Sequence, residues 1–406
     1  MKIINGGVTT PAGFTASGIY CGIKKGKTTG KPDLAMIYSP VRCVAAAVYT
    51  ANLVKAAPIT LTMEHLFDGY AQTVICNSGN ANACNTDGEV KARAMTACAA
   101  EALGIAECDV IVASTGVIGQ PLNIDAIKRG MPELAASLSP SGGDIAAEAI
   151  MTTDLVKKQM AVDFEIGGKT CRIGGMAKGS GMIEPNMATM LCFLTTDVAI
   201  EPDALAAALK TAANVSLNRL SVDGDTSTND MCSIMASGLA GNTPIHENSD
   251  DYEMFKSALS ILLVEFAKMI ARDGEGATKL IECEVSGAAN EADAVKLGKS
   301  VINSSLVKCA MFGADANCGR VLCALGYAGV AFDPGRITVD FVSAAGRVRV
   351  IESGAGLEFA EDLAKEILSQ DTVRIEIDIG AGSARATVWG CDLTYDYVKI
   401  NGDYRS

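Results

Sequence analysis

The sequence predicts an α+β fold, and three observations carry that prediction. Short apolar or alternating runs, such as 110–113 and the Val373, Ile375, Ile377, Ile379 series, read as strands. Other stretches repeat apolar residues at helical spacing, most clearly Phe255, Leu259, Leu262, Leu263, Phe266 and Ile270. The two kinds follow one another in mixed order, which points to layers of sheet and helix.

Taken along the chain, 73–76 reads as a strand, 89–103 as a helix, 110–113 as a strand and 146–151 as a helix. Strands at 162–166 and 171–173 flank Gly167-Gly168, the composition of a tight hairpin turn. The bounded apolar run 190–194 suits a buried strand. Pro202 is placed for the first turn of a helix over 203–215. The long helix over 251–272 ends at Asp273-Gly274. A strand at 279–285, a helix at 291–302, strands at 337–342 and 347–351, a helix at 357–368 and the alternating strand 373–379 complete the series.

Composition narrows the function classes. At 406 residues the chain is long enough for two or three packed units, and 49% hydrophobic against 20% charged residues predicts large buried cores. A formal charge of -13 and a pI near 4.8 argue against nucleic acid and anionic membranes as partners. Segment 1–7 does not read as a signal peptide, and the most apolar helix is broken by Glu265 and Lys268, so no membrane span and a cytoplasmic setting are expected.

Fourteen cysteines without a Cys-x-x-Cys pair, most in apolar company like Cys192 and Cys323, read as reduced hydrophobes. With two histidines, His65 and His246, zinc spacing fails, and both are expected to be surface or capping residues. Gly167-Gly-Lys-Thr170 imitates the end of a phosphate loop, but Asp163 stands where the first glycine belongs. Asp223-Gly-Asp-Thr-Ser-Thr-Asn-Asp230 imitates a calcium loop, but Thr228 and Ile234 replace its glycine and final glutamate, so no metal is assigned.

One segment carries chemistry. Residues 174–190 read Gly-Gly-Met-Ala-Lys-Gly-Ser-Gly-Met-Ile-Glu-Pro-Asn-Met-Ala-Thr-Met: a glycine-rich loop holding Lys178, then Ala188-Thr189 at the mouth of a buried strand. A threonine hydroxyl needs a base to become a nucleophile, and its own α-amine can be that base. An unperturbed α-amino group titrates at roughly 7.7–8, suited to neutral pH. That amine exists only if the chain is cut between Ala188 and Thr189. The residues thus point to a precursor that cleaves itself there into pieces 1–188 and 189–406, the second beginning with its nucleophile.

The stretch from Lys178 to Met190 resembles the self-processing signature of the ornithine acetyltransferase (glutamate N-acetyltransferase) family. Further segments resemble the family in order: Asn77–Cys84, Ser114–Gly119, Met151–Asp154, Asp223–Asp230, Asp273–Lys279 and Tyr397–Tyr404. The resemblance implies stacked sheets flanked by helices, with a smaller C-terminal domain from about residue 285. It also implies a heterotetramer of two α and two β chains.

In that family's chemistry Thr189 takes acetyl from N2-acetyl-L-ornithine and passes it to L-glutamate in a ping-pong cycle of arginine biosynthesis. No cofactor is required; acetyl-CoA is a second donor for some members. The Thr115 hydroxyl and Gly116 N–H match the oxyanion donors, and Lys178 the residue that holds a substrate carboxylate. Thr152 matches the substrate-binding threonine, with adjacent Thr153 as its competitor, and Glu275 suits the cationic amine of ornithine. Asn401 and Ser406 match positions in a tail that folds over the substrate. The competing reading is an N-terminal nucleophile aminopeptidase or amidohydrolase, which hands the acyl group to water; a third is a non-catalytic subunit with Thr189 intact.

Overall fold

The computed structural model describes residues 1–24, 29–184 and 190–403. Among them, nine strands form one sheet: β1 (Lys2–Ile4), β2 (Thr15–Ile19), β3 (Leu34–Tyr49), β4 (Tyr70–Asn80), β5 (Val110–Val117), β6 (Lys158–Ile166), β7 (Lys169–Lys178), β8 (Leu191–Thr196) and β9 (Met231–Ala236). Their order is β1-β6-β7-β8-β9-β3-β4-β5, with β2 paired to β3 off that path. The pairs β8–β9 and β4–β5 are parallel.

The sheet folds over on itself through β3. Its pairing with β4 shifts register between Tyr38 and Cys43, and Pro40 lies in that interval. The first half pairs with β2 and the second half with β9. Two β layers therefore face each other. Ala35, Ile37, Val74, Cys76, Ile111 and Ala113 from one layer pack with Met176, Leu191, Phe193, Met231 and Met235 from the other. Alternate residues on the same strands point outward, as the period of two requires. Cys192, Leu194, Cys232 and Ile234 face the helices Pro202–Asn214 and Asp250–Arg272, while Leu34, Met36, Ile75, Val110 and Val112 face Gly88–Leu103 and Ile124–Ala136. The result is helix, sheet, sheet, helix.

The long helix shows how the sequence builds a layer. Ser249 caps its start by accepting from the Tyr252 N–H at 3.1 Å, and Asp250, Asp251 and Glu253 complement the positive end of the dipole. Phe255, Leu259, Leu262, Leu263, Phe266 and Ile270 are fully buried, each contributing roughly 1.5–3 kcal/mol of transfer free energy.

A second sheet follows, β10 (Leu280–Ala288), β11 (Thr338–Ser343), β12 (Gly346–Glu352), β13 (Ala355–Gly356), β14 (Thr372–Asp378) and β15 (Ala384–Cys391), in the order β13-β12-β11-β14-β10-β15. One face has its own core under helices Glu291–Asn303 and Glu361–Leu368. The other carries cross-strand ion pairs, Arg347 and Arg349 with Asp340, Arg347 with Glu376, and Arg374 with Glu282. Trp389 and Cys391 of β15 pack into the first core, where the Ser221 N–H donates to the Trp389 carbonyl at 2.9 Å.

Several expectations need correction. Lys178 is the last residue of β7, not a loop residue: Gly174 and Gly175 belong to the strand. A Cβ on Gly174 would lie 2.0 Å from the Gly7 carbonyl oxygen, and one on Gly175 2.6 Å from Leu194. These glycines serve close packing. The helix expected over 357–368 begins only at Glu361, because the Leu357 N–H donates to Val350 and keeps the chain extended. The helix expected over 146–151 is Gly143–Ala149, stopped where the Ser78 hydroxyl takes the Ala149 carbonyl. His65 is buried rather than on the surface, its Nδ1 2.8 Å from the Val110 carbonyl, whereas His246 is exposed. All fourteen cysteines are free thiols, but Cys323 is exposed. Among the described residues, no helix is long and apolar enough to cross a membrane.

Candidate active site

Leu191 stands opposite Lys178 on β7 and opposite Met231 on β9. The residues just before these pairs, Met190 and Asp230, therefore lie side by side, and the Met231 N–H donates to the Met190 carbonyl at 2.9 Å. At this end of the sandwich a cleft of about 150 Å³ opens, an amino-acid-sized space. Its lining includes Thr115, Gly116, Thr152, Thr153, Lys178, Ser227, Asn229, Asp230, Glu275 and Asn401. Segments far apart in the chain thus converge beside Met190, the residue that follows Thr189. Thr189, Ala188 and Ser406 lie outside the described residues.

Thr115 and Gly116 lie near the end of β5 in the opposite layer. Gly116 adopts φ +127°, and an added Cβ would lie 2.4 Å from the Gly79 carbonyl carbon, so only glycine fits. The Lys178 ammonium, buried at the end of β7, donates to Thr115 Oγ1 in a long 3.4 Å contact. That arrangement occupies a lone pair of the hydroxyl and leaves its proton for a cleft oxygen.

Beneath Lys178 lies a buried ionic cluster that sequence reading missed. The Lys158 ammonium, with no exposed side-chain surface, sits 2.8 Å from Asp154 Oδ1 and 2.5 Å from Asp273 Oδ2. Asp154 also accepts from the Gly179 N–H at 2.7 Å and the Thr152 N–H at 3.0 Å. Burial alone would raise its pKa, but the Lys178 and Lys158 ammoniums and the Gly179 N–H outweigh it, holding the carboxyl far below the usual range. One carboxylate thereby ties together the threonine loop, the end of β7 and, through Lys158, the end of the long helix. An aspartate at a helix C-terminus opposes the dipole; here Lys158 offsets Asp273.

The two candidate threonines are held differently. The Thr153 hydroxyl lies 2.7 Å from Ser180 Oγ, whereas Thr152 is held through its backbone. Half-buried Glu275 receives the Asn401 amide, and its own N–H donates to the Ser180 carbonyl at 2.8 Å. Asp223 fixes the adjoining turn through the N–H groups of Met182 and Ile183, at 2.7 and 2.8 Å, and accepts from the Tyr397 hydroxyl at 3.2 Å.

Asn229 is a further residue that sequence reading left undistinguished. Its amide donates to the Ser114 carbonyl at 2.8 Å and the Ala81 carbonyl at 2.6 Å, bridging the two β layers one residue before Thr115. Its only sequence signal is membership of the Asp223–Asp230 segment, which imitates a calcium loop and resembles a family segment without singling out this residue.

A model of the ArgJ family matches residues 15–406 of the chain. The chain belongs to that family. It is 54% identical to the arginine biosynthesis bifunctional protein ArgJ of Symbiobacterium thermophilum, over 100% of both chains. It is 48% identical to the protein so named from Caldanaerobacter subterraneus subsp. tengcongensis, again over 100% of both. Among solved structures, the arginine biosynthesis bifunctional protein argJ of Bacillus halodurans is 44% identical at a TM-score of 0.50, covering 52% of this chain and 98% of that one. Within the ArgJ family, the cleft beside Met190 is the natural place to look for the reaction.

Proposed function

We propose that this chain is an acetyltransferase of arginine biosynthesis, moving acetyl from N2-acetyl-L-ornithine to L-glutamate after cleaving itself at Ala188-Thr189. The observation that carries the reading is the gathering of Thr115, Gly116, Thr152, Lys178, Glu275 and Asn401 in one cleft beside Met190. Full-length identity to proteins named for arginine biosynthesis supports the pathway. The Bacillus halodurans chain, almost entirely covered yet matching 52% of this one, supports the two-piece product.

In the first half-reaction Thr189 Oγ attacks the acetyl carbonyl while its α-amine takes the hydroxyl proton. The oxyanion is met by the Thr115 hydroxyl and the Gly116 N–H. Collapse breaks the C–N bond, and the α-ammonium returns the proton to the departing ornithine amine. Glutamate's amine then attacks acetyl-Thr189 by the reverse sequence and leaves as N-acetylglutamate. Lys178 meets the substrate carboxylate and Glu275 the distal ammonium of ornithine. The reading includes Ser406 and Asn401 as tail contacts, a tetramer with two fragments of each kind, the cytoplasm as setting, and acetyl-CoA as an optional second donor.

Intact mass spectrometry tests it in one experiment. The purified protein should give two fragments meeting at 188/189, and a soak with acetylornithine should add one acetyl group to the second. A single uncut chain, or acetylornithine hydrolysed at the same rate with and without glutamate, would defeat the reading.

A further inference from the structure

Asp230 lines the cleft, is 2% exposed and has one buried carboxyl oxygen, Oδ2, without a hydrogen-bond partner among the described residues. Its backbone is fixed, the Thr50 N–H donating to its carbonyl at 3.0 Å, and Met231 after it opens β9. Ser227 and the Met190 backbone favour the charged form of the carboxyl. A buried polar atom left unpaired costs about 1–3 kcal/mol, so a cleft-lining residue that carries one requires an explanation.

We propose that Asp230 is a further catalytic group of the acyl-transfer site, a neutral carboxylic acid whose Oδ2–H donates a hydrogen bond to a substrate oxygen in the cleft. The inference rests on the function proposed above. Four features of the site support it. Burial raises the carboxyl's pKa well above the ordinary value, and the Ser227 and Met190 hydrogen bonds and the Lys178 charge only partly oppose that. With Oδ2 the unpaired oxygen, a proton on the carboxyl resides there. The proposed substrates carry acceptors, a carboxylate and the acetyl carbonyl, which an ionised aspartate would repel. Finally, Glu275 already supplies a carboxylate to the same cleft. Two carboxyl groups in different environments then take different tasks, one receiving a cation and the other donating to an oxygen. No bond is broken in this role; the proton stays on Asp230 throughout.

The test compares Asp230→Asn with Asp230→Ala. The amide still donates from the same place, and it still accepts from Met190; alanine does neither. Asp230→Ala should lower kcat by roughly 10²-fold, the loss typical of one oriented donor, while Asp230→Asn stays within about fivefold of the wild type. Infrared difference spectra of wild type against Asp230→Asn at neutral pH should contain the C=O band of a protonated carboxylic acid. Its absence, an Asp230→Asn variant as impaired as Asp230→Ala, or an Asp230→Ala variant with unchanged kcat would each overturn the inference. If Asp230→Ala stays uncut while Asp230→Asn is processed, the donor acts on the first oxyanion too and the inference stands; if both stay uncut, it falls. A wild type that cuts itself and transfers acetyl, alongside an unaffected Asp230→Ala, removes this inference alone. A wild type that transfers none removes the proposed function, and the infrared band then decides about Asp230.

Discussion

Asn401 reaches across 126 residues of sequence to donate its amide to Glu275 Oε2 at 2.8 Å. The same Nδ2 also meets the Tyr397 carbonyl at 3.1 Å, so the last described helix is latched onto the rim of the cleft. If Glu275 binds the distal ammonium of ornithine, Glu275→Gln loses a charged hydrogen bond worth about 1.5–3 kcal/mol. KM for acetylornithine should rise roughly 10- to 100-fold, with the glutamate half-reaction much less affected. Asn401→Ala, which removes an exposed neutral donor, should change the same constant by only a few-fold. Steady-state rates with each substrate varied in turn check both, and equal effects on the two substrates would count against the assignment.

Thr115→Ala removes the proposed side-chain donor to the oxyanion and leaves Gly116 in place. One such donor is worth about 2.7–4 kcal/mol, so kcat should fall roughly 10²- to 10³-fold with KM nearly unchanged. Thr115→Ser, retaining the hydroxyl, should recover most of the loss. Single-turnover acetylation of the enzyme is the measurement, and a pure KM effect would move Thr115 out of the oxyanion site.

Lys158→Met strips the shared cation from two buried carboxylates. Breaking a buried ion pair on one side typically costs about 3–5 kcal/mol, so the variant should denature at clearly lower urea concentration. The pH dependence has a definite sign. The native Asp154 carboxyl titrates below its unfolded counterpart, so its contribution is fully present above about pH 4 and fades as pH falls from there towards the depressed native value. Urea midpoints below pH 4 should therefore decline in the wild type, and decline less steeply in Lys158→Met, where the depression is relieved in part while Lys178 stays.

Thr189→Ala is expected to remain one chain of 406 residues and to transfer no acetyl group, since both reactions proposed for that hydroxyl are lost. Thr189→Ser keeps a hydroxyl and should be cut in part. Denaturing electrophoresis reads the outcome, and cleavage of the alanine variant at the same bond would assign the nucleophile elsewhere.

Local pattern made much of the fold legible. The long helix announced itself through apolar residues at 3.6-residue spacing and a stop at Asp273-Gly274, and the hairpin through Gly167-Gly168, where Ile166 and Lys169 now pair. The strand β3 escaped notice because Ala45, Ala46 and Ala47 carry little strand preference and its two halves are buried against different layers, which erases any simple alternation. The strand β15 escaped for a similar reason, with small residues at Ala384, Ala386 and Gly390.

By itself, the sequence offered the candidates: a threonine after a glycine-rich segment and, through the family resemblance, Thr115, Gly116, Lys178 and Glu275. These are properties of residue type and order along the chain. Tertiary structure decided which groups share a cavity and in what electrical state. Asp154, Lys158 and Asp273 read as ordinary charged residues until burial forces them together. Asn229 and Asp230 are neighbours in one polar segment, yet one bridges two β layers and the other keeps a buried, unpaired oxygen. Desolvation and long-range contact set those roles, and neither is a function of local sequence.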